Sequence, residues 1–281
     1  MNFRTEVQIE KSPTKINHNQ KILLLGSCFA QNMQVKFAEG GFEAMHPFGA
    51  IYNPYSVSNS FKLIKECSKI NAEDLFFQKG LWNSYSFHSS YSNADKDIAL
   101  GQMNNTIGTA NEILNSTNPV IIITLGTSWV YELNETGNIV ANCHHSLASD
   151  FTRRFMNVEE IINILRPICE TSARIIFTVS PVRHLKDGAH ENQLSKSRLL
   201  LAVDKLISEY DNCEYFPSYE IMLDELRDYR FYADDMIHPA PVAVNYIWQR
   251  LAENCMSTEM QQHLKEYEPT RKSKMHKAAC T

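Results

Sequence analysis

The sequence predicts an α/β protein built as a three-layer α/β/α sandwich around a central parallel sheet. Apolar runs alternate with helical patterns along the chain, as expected when helices connect parallel strands. Three of the apolar runs, at residues 21–27, 118–128 and 173–182, end in glycine or small hydroxyl residues. Because unbroken apolar runs are typical of strands buried on both faces, these three segments are predicted to form the centre of the sheet.

The first strand, KILLLGS, is followed by a predicted helix in which Phe29, Met33 and Phe37 recur at helical spacing. Gly40 and Gly41 are expected to end that helix. A short strand is predicted over residues 42–45, and a second helix is expected to begin near Pro54.

The later part of the chain repeats the same alternation. After the strands at 118–128 and 173–182, an amphipathic helix is predicted over residues 191–210. A short strand near residues 213–218 is expected to complete the sheet. Together these elements predict one α/β domain over residues 1–264.

Two segments interrupt the alternation and are interpreted as insertions. Residues 71–95 are rich in aromatic side chains and serines, and residues 129–151 suggest a hairpin that turns at residues 135–138. Both could form walls of a substrate pocket. The polar and basic residues 265–281 are expected to form a loosely ordered tail.

Composition excludes several classes of function. The net charge of −5 over 281 residues gives no source for long-range attraction to nucleic acid, and no basic stripe with stacking aromatics is present. The first twenty residues contain no apolar stretch typical of a signal peptide, and the chain shows no membrane span, so a cytoplasmic protein is expected. The seven cysteines lack paired spacing and are interpreted as reduced thiols.

Polar side chains follow the predicted central strands. In open parallel sheets the ligand lies at the carboxyl ends of the strands, so Ser27, Thr127, Ser128 and Ser180 are expected to face one crevice. Ser27 stands in a turn that Gly26 would permit, next to the N-terminus of a helix whose N–H groups could stabilise an oxyanion.

A serine nucleophile needs an imidazole to accept its proton and usually a carboxylate to orient that imidazole. Asp235 and His238 are three residues apart, and Pro239 follows at once. Because proline is favoured in the first turn of a helix, residues 235–238 are predicted to form a tight loop just before a helix. Ser27, His238 and Asp235 therefore form a candidate catalytic triad.

The string GSCFA at residues 26–30 matches the signature of the GSCFA family, and PFGAIYNP, ITLGTSWVY, SPVRHLKDG and DDMIHP follow in order. That family resembles the SGNH, or GDSL-like, hydrolases. The resemblance implies a flavodoxin-like sheet, a nucleophilic Ser27 and an Asp235–His238 pair. Two blocks depart from the superfamily pattern. Leu25-Gly26-Ser27 stands where Gly-Asp-Ser is usual, and Ser128 stands where an asparagine is expected to donate to the oxyanion.

Other groups are candidates for holding the oxyanion or the substrate. Donors to the oxyanion are sought at Gly49, Asn53, Gly126 and Ser128. In the insertion near residues 71–95, Trp82 and His88 could stack on a sugar or an acyl group, with loop packing as the equal alternative. Arg183 and His184 follow a predicted strand and could hold an anionic group of the substrate.

Simpler interpretations remain for each motif. Ser27 could only cap the following helix, and Asp235 with His238 could be a capped loop. Cys28 is a rival nucleophile, but a side chain that follows a crevice-facing serine is expected to point into the core. Cys143, His144 and His145 suggest a metal at first sight, yet no second ligand pair with zinc-like spacing is present, so no metal is expected.

The predicted function is therefore hydrolysis of a small ester or an acylated saccharide through an acyl-enzyme, without a cofactor. An acyltransferase with the same triad is a close variant. The alternative of another class is a non-catalytic module that binds a carbohydrate or a partner on a degenerate hydrolase scaffold. Nucleotide binding is a third interpretation, although the glycine-rich phosphate motif is missing after the first strand.

Overall fold

The computed structural model describes residues 4–264. The predicted tail at residues 265–281 lies outside the described residues. The five strands of the central sheet are β1 (Ile22–Gly26), β2 (Ala44–Met45), β5 (Val120–Leu125), β9 (Arg174–Val179) and β10 (Cys213–Tyr215). The remaining strands form two small sheets: β3 (Leu75–Gln78), β4 (Leu81–Ser84), β6 (Trp129–Leu133), β7 (Ile139–Val140) and β8 (Phe151–Phe155).

The helices are α1 (Cys28–Glu39), α2 (Pro54–Lys65), α3 (Lys96–Leu114), α4 (Val158–Cys169), α5 (Ala189–Glu209), α6 (Ser218–Glu220) and α7 (Pro241–Cys255). The strands and helices predicted from the apolar runs are confirmed, within a few residues at their ends. One detail is wrong: α7 begins at Pro241, with Ala240 as its N-cap, so Pro239 belongs to the preceding loop.

The central sheet is entirely parallel, with the order β10-β9-β5-β1-β2. In chain order the five strands therefore lie 2-1-3-4-5, which is the flavodoxin-like arrangement of doubly wound sheets. β2 is added on one side of β1, and β5, β9 and β10 are added on the other side, so the strand order reverses at β1. In open parallel sheets the ligand crevice lies at the carboxyl ends of the strands, at such a switch point.

Alternate residues of the strands supply two cores, one on each face of the sheet. Leu23, Ile121 and Phe177 pack against α2, α3, α4 and α5. Leu24 and Ile122 pack on the other face, against α1, α7 and the segment around α6. The predicted three-layer α/β/α sandwich is therefore confirmed.

The two insertions form small antiparallel sheets beside the sandwich. β3 pairs with β4, and β6 lies between β7 and β8. The predicted hairpin at residues 135–138 is confirmed, since Leu133 N donates to Asn138 O between β6 and β7. Trp129 of β6 stacks on Phe155 of β8, and the Arg153 guanidinium lies 3.9 Å from the Trp129 ring centroid. Arg153 also pairs with Asp187, so this sheet is fastened to the loop after β9.

Candidate active site

The turn between β1 and α1 depends on Gly26, the last residue of the strand. Its φ of +128° is rarely adopted by residues with a side chain. A Cβ at this position would lie 2.1 Å from the carbonyl oxygen of Thr124 on the neighbouring strand. The close approach allows Ser27 N to donate to the same oxygen at 3.0 Å. The sharp turn predicted at Gly26 is therefore present.

Ser27 is the N-cap of α1 and is fully buried, with 0% of its surface exposed. Its Oγ donates to Ser180 Oγ at 3.0 Å and accepts from Phe29 N at 3.3 Å. The helix-capping role is thus present in the structure, and the hydroxyl is enclosed by protein. The catalytic role of Ser27 stays a prediction.

Cys28 is partly exposed, at the border of the core that contains α1. Ser27 has no exposed surface, whereas Cys28 keeps some, so the thiol is the more accessible of the two side chains. Ser27 adopts an extended backbone, and its hydroxyl folds back over the first turn of α1 as the helix cap. Which of the two side chains faces a substrate stays a prediction.

Asp235 and His238 form a hydrogen-bonded pair on the loop before α7. Asp235 Oδ2 lies 2.6 Å from His238 Nδ1, and Asp235 Oδ1 accepts from the backbone N–H groups of Ile237 and His238 at 2.9 and 3.0 Å. These three hydrogen bonds lower the pKa of Asp235 to about 2, the bond from the His238 backbone contributing most. Because a carboxylate only accepts, the proton of the neutral imidazole is assigned to Nδ1, and Nε2 keeps its lone pair.

The loop of Asp235 and His238 is held beside the carboxyl end of β9. Arg183 N donates to Ile237 O at 3.1 Å, and the Arg183 guanidinium donates to Met236 O at 3.1 Å. About half of each side chain is exposed, 49% for His238 and 47% for Asp235. The pair therefore faces solvent at the carboxyl end of β9.

Lys196 is a buried cation that the sequence analysis did not identify. It is fully buried in α5, and its Nζ donates to the carbonyl oxygens of Gly126 and Ser180, each at 2.7 Å. These carbonyls stand just beyond the ends of β5 and β9, so one ammonium group ties the two strand ends together. Burial lowers the pKa of Lys196 to about 7, an effect that a nearby Cys28 thiolate would oppose. The available signal was three polar residues on the buried face of α5, at Asn192, Ser195 and Lys196. They precede Leu199, the first residue of the buried apolar pattern on that helix, by three to seven positions.

Tyr52, His184 and Cys28 occupy the same end of the sheet. The Tyr52 and His184 rings are 5.8 Å apart and nearly perpendicular. Burial lowers the pKa of His184 to about 3, helped by the charge of Lys196, and its buried Nε2 has no hydrogen-bond partner within residues 4–264. Burial also raises the pKa of Tyr52 to about 12, assisted by Cys28. His184 therefore lies at the carboxyl end of the sheet as a neutral ring, and its predicted role in holding an anionic group of the substrate stays a prediction.

The predicted oxyanion donors have partners in the protein. Gly126 N donates to Tyr52 O at 2.8 Å, and Ser128 N donates to Ser195 Oγ at 2.8 Å. Asn53 is a buried N-cap of α2, and its Oδ1 accepts from Ser56 N at 2.8 Å. The donors of Gly126 and Ser128 are thus engaged within the protein, whereas Asn53 is engaged through its acceptor oxygen.

Gly49, His88 and Trp82 lie on the side of the inserted β3–β4 sheet. Gly49 has a φ of +69° and a Cβ there would lie 2.5 Å from His88 Cβ. His88 caps a short 3₁₀ turn through Ser90 N, and Trp82 packs beneath Lys96 at 4.5 Å. The contacts of Trp82 are those of a side chain that packs its loop onto the domain. His88 lies against the Gly49 backbone.

His46 is a second residue that sequence reasoning missed. It is largely buried, and its Nε2 lies 3.2 Å from Gly26 O, behind the turn that follows β1. Burial lowers the pKa of His46 to about 4. The neutral ring therefore donates to the Gly26 carbonyl and fixes the turn. The sequence around it, HPFG at residues 46–49, contains no pattern that predicts this role.

A cavity of about 420 Å³ opens beside the loop of Asp235 and His238. Three tyrosines contribute to its wall, namely Tyr219, Tyr229 and Tyr232. Arg183 lies between this cavity and the loop, 5.2 Å from the Tyr232 ring centroid. Arg183 lines this cavity, whereas Ser27, Asp235 and His238 do not, and its role in holding a substrate stays a prediction.

Metal binding finds no support at Cys143, His144 and His145. His144 is buried with its Nε2 2.7 Å from Ser84 O, and no cluster of three potential metal ligands occurs within residues 4–264. The six cysteines of the described chain are free thiols. None of the helices in that part of the chain combines the length and apolar character needed to cross a membrane.

Comparison with known families identifies the family of this chain. The GSCFA family model matches residues 21–251, which span the sheet, the turn after β1 and the Asp235–His238 loop. The chain therefore belongs to the GSCFA family. No curated protein matches the sequence.

Proposed function

We propose that this protein is an acyl-ester hydrolase that works through a covalent acyl-enzyme. The observation that carries the proposal is the Asp235–His238 pair, 2.6 Å apart, on a loop that Arg183 holds at the carboxyl end of β9. A histidine oriented by a carboxylate, with its second nitrogen free, is the base that hydroxyl and thiol nucleophiles require.

In this mechanism His238 Nε2 accepts the proton of the nucleophile and later returns it to the leaving alcohol. Asp235 keeps the proton of the neutral imidazole on Nδ1 and stabilises the imidazolium that forms. The resemblance to SGNH hydrolases assigns the nucleophile to Ser27. For Ser27 to attack, its Oγ would have to rotate away from Ser180 and Phe29 N.

The start of α1 supports the proposal through its backbone. The N–H groups of Cys28 and Phe29 lie at the start of α1, and both lower the pKa of the Cys28 thiol. Donors at a helix N-terminus also favour the oxyanion of a tetrahedral intermediate. The Cys28 N–H would replace the donors at Gly126 and Ser128, which are engaged elsewhere, and the Phe29 N–H would join it once Ser27 Oγ releases it.

The cavity beside the loop favours an acylated saccharide as the substrate. Tyrosine faces suit the C–H faces of sugars, and Arg183, Asp224 and Asp228 in the same wall supply donors and acceptors for hydroxyl groups. Arg183 also donates to Met236 O, so the wall of this cavity is joined to the loop that carries His238.

The test is steady-state hydrolysis of p-nitrophenyl acetate and of acetylated monosaccharides by wild type, His238→Gln and His190→Gln. His190 is an exposed histidine at the start of α5 and serves as the matched control. His238→Gln is expected to lower kcat/KM by at least about 100-fold, as for loss of a general base, while the control keeps it. Equal rates in all three proteins, or no turnover of any ester, would contradict the proposal.

A non-catalytic carbohydrate-binding module is the second candidate. The observation that favours it is the enclosure of the Ser27 hydroxyl together with the engaged donors at Gly126 and Ser128. Saccharide binding measured by calorimetry without turnover, weakened by Tyr232→Ala and unaffected by His238→Gln, would support this function instead.

A further inference from the structure

From the arrangement of the turn after β1, we infer that the nucleophile of the proposed reaction is the Cys28 thiol and that the intermediate is a thioester. This inference rests on the proposed function and names a residue that the family resemblance does not assign.

Cys28 is more accessible than Ser27. Ser27 has no exposed surface, and both of its hydrogen bonds hold the hydroxyl inside the turn. Cys28 is partly exposed at the same end of the sheet. A nucleophile must reach a substrate carbonyl, and of these two adjacent side chains only Cys28 offers a surface for that approach.

Charged and polar side chains surround the Cys28 sulfur. Cys28 lies close enough to Asp235 and Lys196 for both charges to influence its ionisation, and close enough to Tyr52 to influence that phenol in turn. The Lys196 charge lowers the pKa of the thiol, whereas the Asp235 charge raises it. A thiol at a helix N-terminus, served by an imidazole that a carboxylate orients, is a recurring arrangement of catalytic cysteines.

The Cys28 thiol needs a base to remove its proton. Burial raises the pKa of Cys28, whereas the backbone N–H groups of Cys28 and Phe29 and the charge of Lys196 lower it. The resting thiol therefore keeps its proton and must lose it when the substrate binds. The Asp235–His238 pair supplies a base, and the backbone groups and Lys196 stabilise the anion that forms.

The proposed chemistry is balanced at each step. His238 Nε2 accepts the Cys28 Sγ proton as sulfur bonds to the acyl carbon, and collapse of the tetrahedral intermediate breaks the C–O bond. The leaving oxygen takes the proton from His238 and departs as an alcohol. A water molecule, deprotonated by His238, then attacks the thioester carbonyl, the C–S bond breaks, and the thiolate recovers the proton.

The experiment combines kinetics with mapping of the intermediate. Wild type is quenched with acid during turnover of p-nitrophenyl acetate, and the acetyl group is located by peptide fragmentation, which separates Ser27 from Cys28. The adduct is expected on Cys28, and neutral hydroxylamine is expected to remove it, as thioesters but not ordinary oxygen esters react under those conditions.

Variants make the result decisive. Cys28→Ala is expected to lose at least about 100-fold in kcat/KM, and Cys28→Ser is expected to give an adduct resistant to neutral hydroxylamine. Cys67→Ala removes an exposed thiol elsewhere and is expected to match wild type. Circular dichroism of Cys28→Ala and Cys28→Ser identifies any loss of fold, and the mapping in wild type needs no variant.

Two outcomes would overturn the inference, and they are distinguishable. An adduct on Ser27, or folded Cys28→Ala with kcat/KM within 10-fold of wild type, would refute Cys28 as nucleophile and leave the proposed hydrolase standing. Absence of both turnover and adduct in wild type would refute the proposed function and the inference together.

Discussion

Asp235 and His238 are joined twice, once through the side chains and once through the backbone. Oδ2 lies 2.6 Å from His238 Nδ1, while Oδ1 accepts from His238 N at 3.0 Å. The carboxylate thus fixes both the ring and the loop that bears it, although the pair is half exposed. Exposed ion pairs contribute little to stability, so this geometry is better explained by the orientation of a base.

Asp235→Asn is predicted to lower kcat/KM for ester hydrolysis by about 10²- to 10⁴-fold, because an amide no longer holds the imidazole in the required tautomer. The amide oxygen can still accept from Ile237 N and His238 N, so the melting temperature should change little. Steady-state kinetics and thermal unfolding of the purified variant check the two parts. Asp234→Asn, at the neighbouring exposed carboxylate, is the control and should behave as wild type.

Burial of Lys196 is expected to make the protein more stable as the pH rises. Its pKa is about 7 in the folded protein against an ordinary 10.5, so between these values the unfolded chain binds more protons than the folded one. The free energy of unfolding should therefore increase from pH 7 towards pH 10, and Lys196→Met should flatten the increase. Urea unfolding at several pH values measures it. Lys205→Met, on the exposed face of the same helix, should keep the wild-type slope.

Burial of His46 is expected to make the protein less stable in mild acid. Its pKa is about 4 in the folded protein against an ordinary 6.5, so acidification through this range favours the unfolded chain, which takes up the proton first. His46→Gln keeps an N–H donor for Gly26 O and should reduce the loss of unfolding free energy between pH 6.5 and 4. An unchanged acid profile in urea unfolding would contradict the buried neutral histidine.

Gly26→Ala should destabilise the protein by about 3 kcal/mol, because its φ of +128° is strained for alanine and the new Cβ would meet Thr124 O. Gly101→Ala is the opposite case. Gly101 lies in α3 with open space around its Cα, so alanine should stabilise by roughly 0.5–1 kcal/mol. Chemical denaturation of both variants compares them, and equal effects would refute the turn geometry.

The sheet was predictable because its strands are apolar over their whole length. The residues of β1, β5 and β9 are buried on both faces, which leaves an unbroken hydrophobic signal in the sequence. Turn and cap signals likewise placed α1 and α2. The start of α7 was misplaced by two residues because two prolines, Pro239 and Pro241, both suit a first helical turn.

The candidate site was only partly predictable. Spacing identified the Asp235–His238 loop because both partners lie within one turn. The sequence could not show that Ser27 folds inward to cap α1, since capping and nucleophilic serines occupy the same position at a strand end. Lys196 was missed because its partners are backbone carbonyls from two distant strands, which only the assembled sheet brings together.

The most direct test of the account is a stopped-flow experiment with p-nitrophenyl acetate in excess over wild-type protein and over His238→Gln. The account predicts that wild type releases p-nitrophenol in a rapid burst close to one equivalent per protein, followed by slower turnover, because acylation precedes hydrolysis of the intermediate. The burst should vanish in His238→Gln. A burst of the same size in that variant, or no release above the uncatalysed rate from wild type, would contradict a covalent mechanism driven by the Asp235–His238 pair.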